Sequence, residues 1–202
     1  MKRFKSISKD YPLILASSSP RRKELLQNLG IPFKIHPSNI EEKAVNVDEF
    51  EEFALNMATE KAKCVYDKLK DGWILGADTI VVIDGKLFGK PRNYQDAKNM
   101  LNVLSGREHT VITGFCIIDP SGEISHLESV KSKVNIRKLS EEEIDAYLAT
   151  KEPFDKAGAY AVQGIGAFMI KSINGSYTNV VGLPLCEVIV ALKKIKALER
   201  FP

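Results

Sequence analysis

Residues 73–86, WILGADTIVVIDGK, decide the fold. Eleven nearly unbroken apolar residues are too few for a long helix and rich in β-branched side chains, so they read as a strand buried on both faces. Asp84-Gly85 then gives a two-residue hairpin turn. A hairpin inside a chain otherwise alternating strand and helix predicts a mixed sheet with flanking helices, an α/β fold and not a purely parallel one. One residue does not belong. Asp78 puts a carboxylate in the middle of the apolar run, where burial is expensive without a partner: a metal, a lysine or backbone donors. Either it ties down a turn, or it stands at a strand end ready to hold a metal or take a proton from water.

Upstream, residues 12–16 form a short buried strand, and SPRRKELLQNLG over 19–30 reads as a helix. Ser19 is a good N-cap, Pro20 suits the first helical position and Gly30 is a natural stop. Arg21 and Arg22, however, lie in the first turn, where the helix dipole favours acids. Two guanidinium groups there become favourable when an anion arrives at the free N–H groups. PFKIHPS reads as a second strand ending in an acidic loop that holds Glu41 and Glu42. In the predicted helix over 48–70, Phe50, Phe53, Ala54, Met57, Cys64 and Val65 share one face, and Lys61 falls inside that stripe. Its stem either packs while the ammonium reaches water, or it emerges in a cleft suited to phosphate.

Downstream come a helix closed by Gly106, a second long hairpin over 109–137, and a helix opened by Ser140 and Glu143 at capping-box spacing. GAFMIKSINGSYTNVV reads as a strand pair around an Asn174-Gly175 turn, and Pro184 begins a last amphipathic helix. Lys90 follows the first hairpin, and Gln163 could present an amide to a planar ligand. No linker or repeat interrupts the 202 residues, which make one domain with a core over about 12–195.

Composition excludes several classes. A net charge of +3 with dispersed bases gives no nucleic-acid footprint. No apolar run approaches the roughly 20 residues of a membrane span, and LILA is too short for a signal-peptide core. Cys64, Cys116 and Cys186 lack metal spacing and suit a reducing cytoplasm. His36, His109 and His126 form no catalytic or metal pattern. There is no P-loop. Lys61 and Lys90 could add cations for a polyphosphate, and Asp78 with Glu42 could hold Mg²⁺ or Mn²⁺.

Several ordered motifs carry a resemblance over about Leu13 to Leu192: SSSPRRKELL, EKA at 60–62, GADTIV, GKP, SGREHTVITG, EPFDKAGAYAVQG and INGSYTNVVGLPL. Together they resemble the Maf family of nucleotide pyrophosphatases. The resemblance implies cleavage of a nucleoside triphosphate between its α- and β-phosphates with a divalent metal. It implies a mixed sheet in two lobes around a deep groove, similar to inosine triphosphate pyrophosphatases, and a cytoplasmic homodimer. It makes Asp78 the proton acceptor, and Ser19, Arg21, Arg22, Lys61 and Lys90 substrate-binding residues. Glu42 is the metal ligand beside Asp78, with Glu41 a poorer choice. Arg21, Thr79 and Gln163 match the branch preferring dTTP and UTP, and Thr79 and Gln163 would read the base edge. The competing class is a nucleotide-binding regulator of septum formation with little catalysis.

Overall fold

The computed structural model describes residues 4–40 and 49–200. Glu41 and Glu42 lie outside them. Seven strands form one sheet in the order β2-β1-β3-β5-β6-β7, with β4 paired to β3. The strands β1 (Leu13–Leu15), β2 (Phe33–Ile35) and β3 (Ile74–Ile83) run parallel, whereas β4 (Lys86–Phe88), β5 (Glu108–Ile118), β6 (Ile124–Ile136) and β7 (Ile170–Asn174) join by antiparallel pairing. The sheet is therefore mixed, and the Asp84-Gly85 turn joins β3 to β4, both residues at positive φ.

The pleat of β3 and β5 sorts the helices. One face is covered along its length by α2 (Phe50–Leu69), whose Ala54, Ala58, Ala62 and Val65 meet Ile74, Ile80, Ile112, Cys116 and Ile118. Two glycines let the helix down onto the strands. A Cβ on Gly76 would lie 2.2 Å from the Ala58 carbonyl oxygen, and one on Gly114 would lie 2.5 Å from the Ala54 backbone. The opposite face carries two separate cores. At one end Leu75, Ala77, Phe115 and Ile117 pack against α1 (Pro20–Asn28) and α6 (Leu185–Lys194). At the other end Val81, Ile83 and Val111 pack against α3 (Tyr94–Leu104) and α4 (Glu141–Ala149). These two helix layers are the two lobes, and the groove opens between them.

The strand pair expected over GAFMIKSINGSYTNVV is half realised. Residues Gly164–Met169 coil as a 3₁₀ turn before β7, and the returning segment is a short helix, α5 (Tyr177–Val181). Ser176 decides this locally: its hydroxyl caps the Asn179 N–H, and Gly182 ends the helix at φ 122°. The basic N-terminal stretch is also packed, with Phe4 edge-on to Trp73 and the Trp73 indole donating to the Lys5 carbonyl at 2.9 Å.

Candidate active site

Parallel strands expose their carboxyl ends to ligands, because chain and helix N-termini turn outward there. Here β1 pairs with β3 only through Leu75, and β4 takes up the same edge at Val81. Among the described residues the intervening edge of β3, 76–80, has no strand beside it on that side. A groove of about 1460 Å³ lies over this gap. It exceeds the roughly 300–1,000 Å³ usual for small-molecule sites, so its volume is enough for a nucleotide-sized ligand.

Asp78 sits in the middle of that gap. It is not at a strand end: it is the fifth residue of β3, 3% exposed, on the face that α2 covers. Of the partners its burial calls for, the structure supplies a lysine. Lys61, 6% exposed, donates from Nζ to Asp78 Oδ1 at 2.5 Å. Lys61 thus does not reach past the apolar stripe to water, and the close seat of α2 on Gly76 and Gly114 sets its distance from the carboxylate.

The opposite face of the same strand does different work. Arg22 is buried, not extended toward solvent. Its Nε donates to the Gly182 carbonyl at 2.7 Å, Nη1 to Ser17 Oγ at 3.1 Å and Nη2 to Thr79 Oγ1 at 3.1 Å. Thr79 Oγ1 lies 2.9 Å from Thr113 Oγ1, and Thr113 Oγ1 donates to the Asn179 carbonyl at 3.1 Å. Asn179 Nδ2 in turn donates to Ser132 Oγ at 2.9 Å. This chain fastens the N-terminus of α1 to the sheet. Arg22 therefore acts as a strut as well as lining the groove, and the Thr79 hydroxyl expected to read a base is engaged with protein partners.

Ser19 caps α1 as expected, accepting from the Arg22 N–H at 3.5 Å. Arg21 lines the groove, but its charge is not left against the helix dipole: Nη1 lies 3.2 Å from Asp155 Oδ2 on the other lobe. Lys90 is an exposed residue of the rim. Ser19, Arg21, Arg22, Lys61, Asp78, Thr79 and Lys90 all line one groove. Gln163 does not. It is half-buried at the start of the 164–169 turn, beside Ala161 and Val162, which do line the groove. That turn is fixed by Glu152, whose carboxylate accepts from the N–H groups of Ile165 and Gly166 and from the Tyr147 hydroxyl. Burial raises the Glu152 carboxyl, but these donors outweigh it and hold it below its ordinary range.

The oxygen-donor chemistry of Asp78 fits a hard divalent cation. Among the described residues no group of three or more His, Cys, Asp or Glu could hold a metal, and the second expected ligand, Glu42, is not described. His109 is buried with Nε2 2.7 Å from the Tyr160 hydroxyl, and burial pushes its pKa down to about 4. Three participants escaped the sequence: Ser17, Asp155 and Lys156. Asp155 and Lys156 lie inside the EPFDKAGAY motif, but only the folded chain shows that they face α1 across the groove.

A mixed-sheet α/β protein with a carboxylate–lysine pair at the floor of a cation-lined cleft is the class that fold and site define. The family model described as Maf-like protein matches residues 12–195, and the chain belongs to that family. A dTTP/UTP pyrophosphatase of Citrifermentans bemidjiense is 49% identical over 94% of this chain and 98% of its own. One from Syntrophotalea carbinolica is 47% identical over 95% and 88%, and one from Syntrophus aciditrophicus 48% over 92% and 91%. Among solved structures, a dITP/XTP pyrophosphatase of Mycobacterium abscessus covers 70% of this chain and 98% of its own at 18% identity and a TM-score of 0.40, too slight a likeness to carry weight. Among the described residues no helix is long and apolar enough to cross a membrane.

Proposed function

We propose that this chain hydrolyses dTTP and UTP, and modified pyrimidine nucleotides of the same kind, to the nucleoside monophosphate and diphosphate. The observation that carries the reading is the buried Lys61–Asp78 pair at the floor of the groove, beside the N-terminus of α1. The base preference is supported by relatives at 47–49% identity that bear the name dTTP/UTP pyrophosphatase.

In this mechanism the triphosphate lies along the first turn of α1, whose N–H groups and dipole attract phosphate oxygens. Arg21, Lys61 and Lys90 supply charge-assisted contacts to it, and Arg22 keeps the helix end in place. Asp78 accepts a proton from the attacking water as the new P–O bond forms and the α–β anhydride bond breaks, with diphosphate leaving. Lys61 orients the Asp78 carboxylate through Oδ1 and shares its positive charge with the phosphates. A divalent cation, Mg²⁺ or Mn²⁺, belongs to the proposal: Asp78 and Glu42 would hold it, and when bound it supplies charge that neutralises phosphate oxygens. Gln163 is assigned to the base because an amide both donates and accepts, matching the N3–H and a carbonyl of thymine or uracil. A homodimer in the cytoplasm completes the proposal.

The test is release of diphosphate from a panel of dTTP, UTP, CTP, GTP and ATP by the purified protein with Mg²⁺ or Mn²⁺. Preferential turnover of dTTP and UTP is expected. Nucleotide binding without diphosphate release would overturn the reading.

A further inference from the structure

The ion pair that spans the groove has an unusual third member. Arg21, in the first turn of α1, meets Asp155 Oδ2 at 3.2 Å, and Asp155 belongs to the 3₁₀ turn Glu152–Asp155 of the facing lobe. The other carboxylate oxygen, Oδ1, accepts from Lys156 Nζ at 2.5 Å. Lys156 is pinned in turn by donation to the Glu152 carbonyl at 2.7 Å and is largely buried. Arg21, Asp155 and Lys156 all line the groove. One carboxylate therefore bridges two cations, one from each wall.

Carboxylate and phosphate oxygens use the same N–H donors in the same geometry. A fixed negative charge in a groove that takes a polyphosphate also repels its ligand over the short distances involved. A purely structural ion pair would sit as well on the outer surface; this one lines the groove at the first turn of α1, the helix end to which the proposed function assigns the phosphates.

We propose that Asp155 is a place-holding counter-ion: it occupies Arg21 and Lys156 before the nucleotide binds, yields both to phosphate oxygens, and by reclaiming them speeds departure of diphosphate. It is a positioning residue, acting through the two cations and not on the reacting atoms. The inference rests on the pyrophosphatase reading for its ligand, but the sign of its effect is its own. A residue that merely holds the turn in shape weakens binding when removed. A counter-ion that competes with the ligand tightens it.

The experiment compares wild type with Asp155→Asn, Asp155→Ser and Asp155→Glu. Inorganic diphosphate is titrated calorimetrically into each, and kcat and KM for dTTP and thermal melts are recorded alongside. Asp155→Asn and Asp155→Ser are expected to bind diphosphate about three- to tenfold more tightly and to lower KM by a similar factor, the scale of one lost half-exposed charge contact. Asp155→Glu keeps the charge and is expected to return both values toward wild type. Weaker or unchanged diphosphate binding in whichever neutral variant melts normally would overturn the inference, as would identical behaviour of the Asn and Glu variants. Failure of both neutral variants to fold would assign Asp155 to the architecture, and a wild type that binds no diphosphate would also overturn it. A wild type that binds diphosphate but releases none from dTTP would remove the pyrophosphatase reading while leaving the counter-ion comparison intact.

Discussion

Replacing Asp78 by Asn should damage stability and turnover together, and a second substitution should separate the two. Lys61 and Asp78 are 6% and 3% exposed and in contact at 2.5 Å. Removing one partner of a buried ion pair costs about 3–5 kcal/mol. The Asn amide oxygen still accepts a hydrogen bond from Lys61, which reduces the expected loss to about 2–4 kcal/mol. In a chain of this size that lowers the melting temperature by about 5–15 °C. Turnover of dTTP should fall about 10²–10⁴-fold, because the amide cannot take a proton from water. The double variant Asp78→Asn with Lys61→Met removes the buried ammonium as well, and should recover most of the lost stability without recovering activity. The assay is diphosphate release at 25 °C, well below either melt, with denaturation followed by circular dichroism. An Asp78→Asn protein within tenfold of wild-type turnover would refute the proton-acceptor role. An unchanged melt would refute the energetic coupling between the pair.

Gly76→Ala should lower the melting temperature and kcat together, since a Cβ 2.2 Å from the Ala58 carbonyl must lift α2 and with it Lys61; an unperturbed enzyme would show that the helix seat does not set the site. Acid should weaken the fold through His109, whose pKa falls from 6.5 to about 4 on burial, so that the unfolded chain binds the extra proton between those values. Stability from this group is complete above pH 6.5 and is lost as pH falls toward 4, by about 2 kcal/mol between pH 7 and 5. Urea titrations of wild type and His109→Gln measure it, and parallel pH profiles in the two proteins would rule it out. Gln163→Leu should depress kcat/KM for dTTP and UTP more than for purine triphosphates; an equal fall across the nucleotide panel would make Gln163 a support of the wall and not a reader of the base.

Element order and sheet type were legible because they are written in local patterns: apolar runs, caps and turn dipeptides. The α5 segment was misread because Thr178, Val180 and Val181 favour strands, whereas the Ser176 cap and Gly182 stop outweigh that preference. At the site, Asp78 and Lys61 stood out because each breaks an apolar pattern, and both proved to meet. The posture of Arg22 was not legible. Its partners Thr79 and Gly182 lie 57 and 160 residues away, and nothing near an arginine in sequence distinguishes a strut from a phosphate ligand. Asp155 was invisible for the same reason: an acid beside a lysine in a turn looks solvated until the opposite wall is in place.

The alternation of β3 has a consequence for how this protein can change. Asp78 and Thr79 are neighbours in the chain, yet one faces α2 and its Lys61 while the other faces the network that moors α1. Two adjacent codons therefore answer to different demands. Variation at position 79, or at Thr113 and Gly182 beyond it, can retune how the α1 end of the cleft is held without touching the Lys61–Asp78 pair. Variation at position 78 has no such freedom, because its partner on α2 is seated on bare backbone and cannot follow.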